Sequence, residues 1–137
     1  VTIQAQMLGL INDLQKRLNT AMILVTHDLG VVAQTCEKVA VMYSGEVVEI
    51  GSAEHIFDGK YLHPYTQGLF NAIPKLDSDT HRLETIEGMI PDPTVKIEGC
   101  RFADRCKHAT DRCKKAPCMV EVEPGHLIKC NLFQKNA

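Results

Sequence analysis

Ile3, Met7, Ile11, Leu14 and Leu18 recur at helical spacing, with Gln4, Asp13, Gln15, Lys16 and Arg17 on the other face. This predicts an opening helix, and Asn19 suits its exit. "AMILVT" at 21–26 is a continuous apolar run, the pattern of a strand covered on both faces. "HDLGVVAQTCEK" predicts a helix of about two turns. "KVAVMYSGEVVEIG" predicts two strands around a two-residue Ser44-Gly45 turn, where Gly permits positive φ. The order helix, strand, helix, strand, strand fits the end of an α/β sheet.

From Ser52 the pattern shifts. "SAEHIFDG" predicts a short helix capped by Ser52 and stopped by Gly59. "HPYTQGLFNAIP" predicts a helix with Pro64 at its first position, Tyr65, Leu69 and Ile73 on its apolar face, and Pro74 as its stop. "KLDSDTHR" reads as a polar linker, "LETIEG" alternates like a strand, and "IPDPTVKIEG" is a turn-rich lead into the last quarter. There "MVEVEPG" reads as extended chain. No internal repeat or low-complexity tract interrupts this order.

Composition changes the picture in two places. The 137 residues can bury a core, and no apolar run approaches the length a membrane helix needs. The chain opens without Met in mid-pattern, which predicts a piece of a longer protein; processing of an N-terminus is the alternative. Residues 1–90 carry 6 basic and 11 acidic residues, and residues 91–137 carry 9 and 6. That excess is too small and scattered for a nucleic-acid surface. Its position matters more: Arg101, Arg105, Lys107, Arg112, Lys114 and Lys115 lie among cysteines, where cations favour thiolate over thiol.

Two constellations could carry chemistry. "LVTHD" places His27 just past the apolar run, and open α/β sheets bind ligands outside the carboxyl ends of their strands. A histidine there can bond an anionic ligand or cap the next helix. The second is Cys100, Cys106, Cys113, Cys118 and Cys130, the first three spaced C-x5-C-x6-C. Zinc sites usually show tighter pairs, and ferredoxin spacing does not match either, so spacing alone leaves a metal undecided. His108 and His126 could be zinc ligands, but surface or supporting roles suit them better, and Cys36 reads as a small buried residue.

"LVTHDLGVVAQTCEKVAVMYSGEVVEIG" resembles the last part of an ABC-transporter ATPase domain, a P-loop (RecA-like) fold. His27 matches the switch histidine of that family's H-loop, which implies contact with the γ-phosphate of ATP across a dimer interface. "VTIQAQ" resembles the stretch just after the D-loop. "HPYTQGLFNAIP" and the cysteine pattern resemble the C-terminal extension of the oligopeptide, dipeptide and nickel importer branch. The resemblance implies an ATPase subunit on the cytoplasmic face of the membrane, partnered by a second ATPase subunit and by transmembrane permease subunits. It implies ATP and Mg²⁺ as cofactors of the longer protein. The chain holds no GxxxxGK[ST] phosphate loop, signature motif or Walker B strand, so it is not expected to hydrolyse ATP alone.

A cytoplasmic setting makes disulfides rare, so clustered thiols point to a metal. In the importer branch the pattern "GCRFADRC…C…GHLIKC" is associated with a 4Fe–4S cluster. Carried over residue by residue, its ligands are Cys100, Cys106, Cys113 and Cys130, with Cys118 outside the motif. Four thiolates around such a cluster are net negative, which the neighbouring Arg and Lys residues would offset.

The expected organisation is residues 1–51 as the end of the ATPase domain, 52–90 as the importer extension, and 91–137 as a metal-binding segment. The extension is expected to be small and α+β. The competing reading is a free-standing cytoplasmic zinc or iron–sulfur module.

Overall fold

Ser44 and Gly45 both take positive φ, 48° and 77°, and close a tight hairpin between β1 (Lys38–Tyr43) and β2 (Glu46–Ser52). Two left-handed residues in a row match the natural twist of paired strands, which is why Gly follows Ser here. The structure, a computed structural model, describes residues 3–73, 85–92 and 94–134. They fall into two compact units, Val1–Glu37 and Lys38–Ala137.

The first unit holds α1 (Ile3–Leu18) and α2 (Leu29–Thr35). Asn19 leaves α1 with φ of 49°, as its exit position requires. The Asp28 side chain caps α2 by accepting the Val31 N–H at 3.1 Å. The strand expected over 21–26 does not form. Ile23 and Val25 are each 93% exposed, and no described strand pairs with this run. A strand covered on both faces needs partners on its edges and layers above and below, and two helices supply neither. Neither helix buries a residue, so Ile3, Met7, Leu10 and Leu14 stay exposed on α1. Cys36, expected to be buried, is half-buried at the end of α2.

In the second unit Ser52 caps α3 (Ala53–Asp58), and Gly59 ends it in the left-handed region. Then α4 (Pro64–Asn71) begins with Pro64 at its first turn. The expected stop at Pro74 and the linker 75–82 lie outside the described residues. A second hairpin, β3 (Val120–Glu123) and β4 (His126–Ile128), turns at Pro124-Gly125. Among the described residues the strands form an antiparallel sheet in the order β1-β2-β4-β3. The end of the chain therefore completes the sheet that the Ser44-Gly45 hairpin starts.

The strand expected in "LETIEG" is absent from residues 85–88; its first two residues are not described. Arg105 takes the carbonyls a ladder would have used: Nε donates to Glu87 O at 3.0 Å, and a terminal nitrogen donates to Ile86 O at 2.9 Å. The core gathers Tyr43, Val48 and Phe102, with Tyr65 and Ile86 packed against them. Phe102 meets Tyr43 edge-on at 5.1 Å between ring centres. Such a pair adds about 0.5–1.5 kcal/mol beyond its burial. Phe102 thus anchors the cysteine-rich segment to the sheet.

Candidate metal centre

Three cysteines open turns of the same kind. The carbonyl of Cys100 accepts the Ala103 N–H at 3.0 Å, that of Cys106 the Ala109 N–H at 3.1 Å, and that of Cys130 the Phe133 N–H at 3.2 Å. In each turn the N–H two residues on bonds back toward the sulfur: Phe102 to Cys100, His108 to Cys106, and Leu132 to Cys130. A sulfur that receives a backbone N–H is prepared to carry negative charge. Cys113 is placed differently. Its carbonyl accepts the Cys100 N–H at 2.9 Å, and its Sγ lies 4.0 Å from Thr110 Oγ1.

That crossing of Cys100 and Cys113 depends on Gly99. A Cβ there would fall 2.4 Å from Cys113 O and 3.0 Å from Lys114 C and O, all backbone atoms that no rotamer change can clear. Gly99→Ala is expected to push the two strands of loop apart and cost about 1–3 kcal/mol, as forced overpacking does. Thermal melting reads the cost. A variant that melts like the parent would show that the loop yields freely.

Cys100, Cys106, Cys113 and Cys130 line one cavity of about 240 Å³, together with His63, Phe102, His108, Thr110, Arg112 and Asn131. Cys118 is exposed and does not line it. No three His, Cys, Asp or Glu side chains among the described residues converge as ligands of one ion. Burial pushes the Cys100 and Cys106 thiols up, and Cys130 up to about 11, with the backbone N–H bonds and neighbouring thiols as smaller influences. Those three thiols keep their protons near neutral pH, and a metal would have to displace them to bind.

The basic residues do not hold these thiols ionised as their sequence position suggests. Arg101 donates to Ser44 O at 2.8 Å, Arg105 serves the 86–87 carbonyls, and Lys114 pairs with Asp111 at 2.7 Å. Arg101 and Arg105 fasten the cysteine segment to the rest of the unit. Arg112 does line the cavity.

The His-Pro-Tyr run has a distinct part in this site. His63 is 1% exposed and caps α4, its Nδ1 accepting the Tyr65 N–H at 3.1 Å. Burial lowers its pKa to about 4, so the ring is neutral at physiological pH. The His63 backbone N–H donates to Glu49 Oε2 at 2.9 Å. Glu49, fully buried on β2, also accepts from Thr66 Oγ1 at 2.5 Å and meets His126 Nε2 at 2.8 Å. His126 is thus a buried partner of Glu49 and stands outside the cavity, whereas His108 is on its wall. Sequence reasoning missed Glu49 and the second use of His63; no local signal marks either.

His27 lies in the other unit, exposed, immediately before the cap of α2. The cap is Asp28, which leaves the imidazole uncommitted to the helix.

Residues 48–113 match the family model for the C-terminal region of oligopeptide/dipeptide transporters. The chain is 46% identical over 130 residues to the oligopeptide transport ATP-binding protein OppD of Salmonella typhimurium, a match covering 95% of this chain and 38% of that protein. It is 46% identical over 130 residues to OppD of Haemophilus influenzae, covering 95% and 40%. Against the oligopeptide transport ATP-binding protein AppD of Bacillus subtilis it is 43% identical over 136 residues, covering 98% and 41%. The chain spans about two fifths of the length of these relatives.

Proposed function

We propose, from the match of residues 48–113 to the family model for the C-terminal region of oligopeptide/dipeptide transporters, that the chain is the C-terminal portion of an ATP-binding subunit of a peptide importer. We propose further that its cysteine-rich segment holds a 4Fe–4S cluster on Cys100, Cys106, Cys113 and Cys130. The subunit works at the cytoplasmic face of the membrane, against transmembrane permease subunits and a second ATPase subunit. ATP and Mg²⁺ act in the longer protein. No helix among the described residues is long and apolar enough to cross a membrane.

The observation that carries the cluster is the gathering of these four thiols, and not Cys118, around one cavity. Tetrahedral zinc with bonds of about 2.3 Å would bring its thiolates within roughly 3.8 Å of one another. The cavity of about 240 Å³ that these cysteines line leaves room for a larger multi-iron group. Backbone N–H groups directed at three of the sulfurs suit its negative charge. When bound, the cluster would supply either an electron site or a covalent staple. Anaerobically purified chain is expected to contain four irons and four labile sulfides. Stoichiometric zinc without iron would overturn the cluster.

The uncovered apolar face of α1 supports a portion of a larger domain over a free-standing module. In the longer protein, His27→Ala is expected to leave ATP binding nearly intact and cut hydrolysis by about 10²–10³, the usual cost of one contact made chiefly in the transition state. Its exposed ring, not spent on capping α2, is free for that contact. Hydrolysis at the parent rate would remove His27 from the mechanism.

A further inference from the structure

His63 carries a buried polar atom that nothing among the described residues satisfies. Its Nδ1 accepts the Tyr65 N–H and so bears no proton, which places the ring's hydrogen on Nε2. That Nε2 is buried without a partner among the described residues. Leaving a buried donor unmade is costly, and natural folds keep such groups for a reason. The ring packs beside Phe102, with centres 5.8 Å apart, and lines the same cavity as the four thiols. Four cysteine sulfurs share that wall with the side chains of Thr110, Asn131 and Gln134.

The neighbours fix the ring from the other side. The backbone N–H of His63 is held by the buried carboxylate of Glu49, and Pro64 locks the first turn of α4. The ring therefore cannot swing to satisfy Nε2 elsewhere without giving up the helix cap. Its tautomer and its direction are set before any ligand arrives.

We propose that His63 is a positioning residue for the cluster, donating its Nε2 hydrogen to a sulfur of the bound group. This rests on the cluster reading above. The bond would be the side-chain counterpart of the backbone N–H bonds to Cys100, Cys106 and Cys130. Donors to the sulfurs stabilise the added charge of the reduced cluster, so they raise its reduction potential and slow iron loss.

Two substitutions separate the two ring nitrogens. In His63→Asn the side-chain oxygen can still cap α4, but nothing reaches the Nε2 position. In His63→Gln the amide nitrogen reaches roughly where Nε2 was, while the cap is lost. The full chain and both variants are reconstituted anaerobically with iron and sulfide. Iron release to a chelator, midpoint potential and melting temperature are then measured. His63→Asn is expected to melt like the parent before loading, yet release iron about 10–100-fold faster and show a lower potential. His63→Gln is expected to melt earlier but recover much of the retention and potential. Parent-like retention and potential in His63→Asn would overturn the proposal and leave His63 as a cap. So would cluster losses that follow melting temperature in both variants. A parent chain that takes up no iron at all would overturn the cluster itself.

Discussion

Replacing Cys106 or Cys113 with serine is expected to abolish the iron and labile sulfide of the anaerobically purified chain, whereas Cys118→Ser leaves both unchanged. On the proposed reading, the four cysteines that line the cavity are the four ligands a cubane needs, so no spare lines it when one is lost. Cys118 is exposed, and its carbonyl is taken by the Gln134 side chain at 3.2 Å. The structural loss should be as large as the chemical one. Among the described residues beyond 94, those that bury an apolar side chain are Phe102, Pro117, Ile128 and Cys130, and two 3-10 turns at Ala103–Arg105 and Asp111–Lys114 are the remaining regular structure besides β3 and β4. A segment with so little core would take much of its order from the proposed cluster. Metal analysis with visible absorption reads the first effect, and limited proteolysis after residue 94 reads the second. Loss of iron in Cys118→Ser would mean that a different four cysteines bind.

The features legible in the sequence are those that depend on near neighbours. The Ser44-Gly45 turn, the Ser52 and Pro64 helix starts and the Gly59 stop are each set within a few residues, and each stands where its chemistry places it. The two strands that failed did so for lack of, or competition for, backbone partners. Residues 21–26 have no described strand beside them, and residues 86–87 give their carbonyls to Arg105, about 18 positions away in sequence. The β4 strand is hidden because three residues are too few for alternation to show, although Pro124-Gly125 marks the turn before it. The cysteine set is singled out by family resemblance and not by spacing. The turns that open at Cys100, Cys106 and Cys130 depend on backbone hydrogen bonds that intervals between cysteines do not contain. Glu49 is the deepest omission. In an alternating strand a glutamate reads as solvent-facing, and its burial comes from partners 14, 17 and 77 positions distant.

Glu49→Ala is accordingly expected to be the most damaging substitution in the second unit outside the cysteines. The carboxylate, fully buried, joins three elements: β2 by position, the start of α4 through His63 N–H and Thr66 Oγ1, and β4 through His126 Nε2. Removing it leaves those donors buried and without an acceptor, and no water-facing route is open, since His63, Thr66 and His126 are at most 2% exposed. Breaking a buried ionic or charge-assisted set by deleting one member costs about 3–5 kcal/mol. That is a large part of the roughly 5–15 kcal/mol that holds a typical domain together. Glu49→Gln keeps the shape and one accepting oxygen, and should cost less, about 1–3 kcal/mol, because one donor must then face an amide N–H₂. Urea denaturation of the two variants measures the difference. The same carboxylate steadies the residue that lines the cysteine cavity, so Glu49→Ala should also lose iron faster than its reduced stability alone requires, and Thr66→Val, which drops a single donor, should not. If Glu49→Ala unfolds within about 1 kcal/mol of the parent, a difference typical of surface substitutions or less, the carboxylate is not the tie between the sheet and α4 that its three bonds describe.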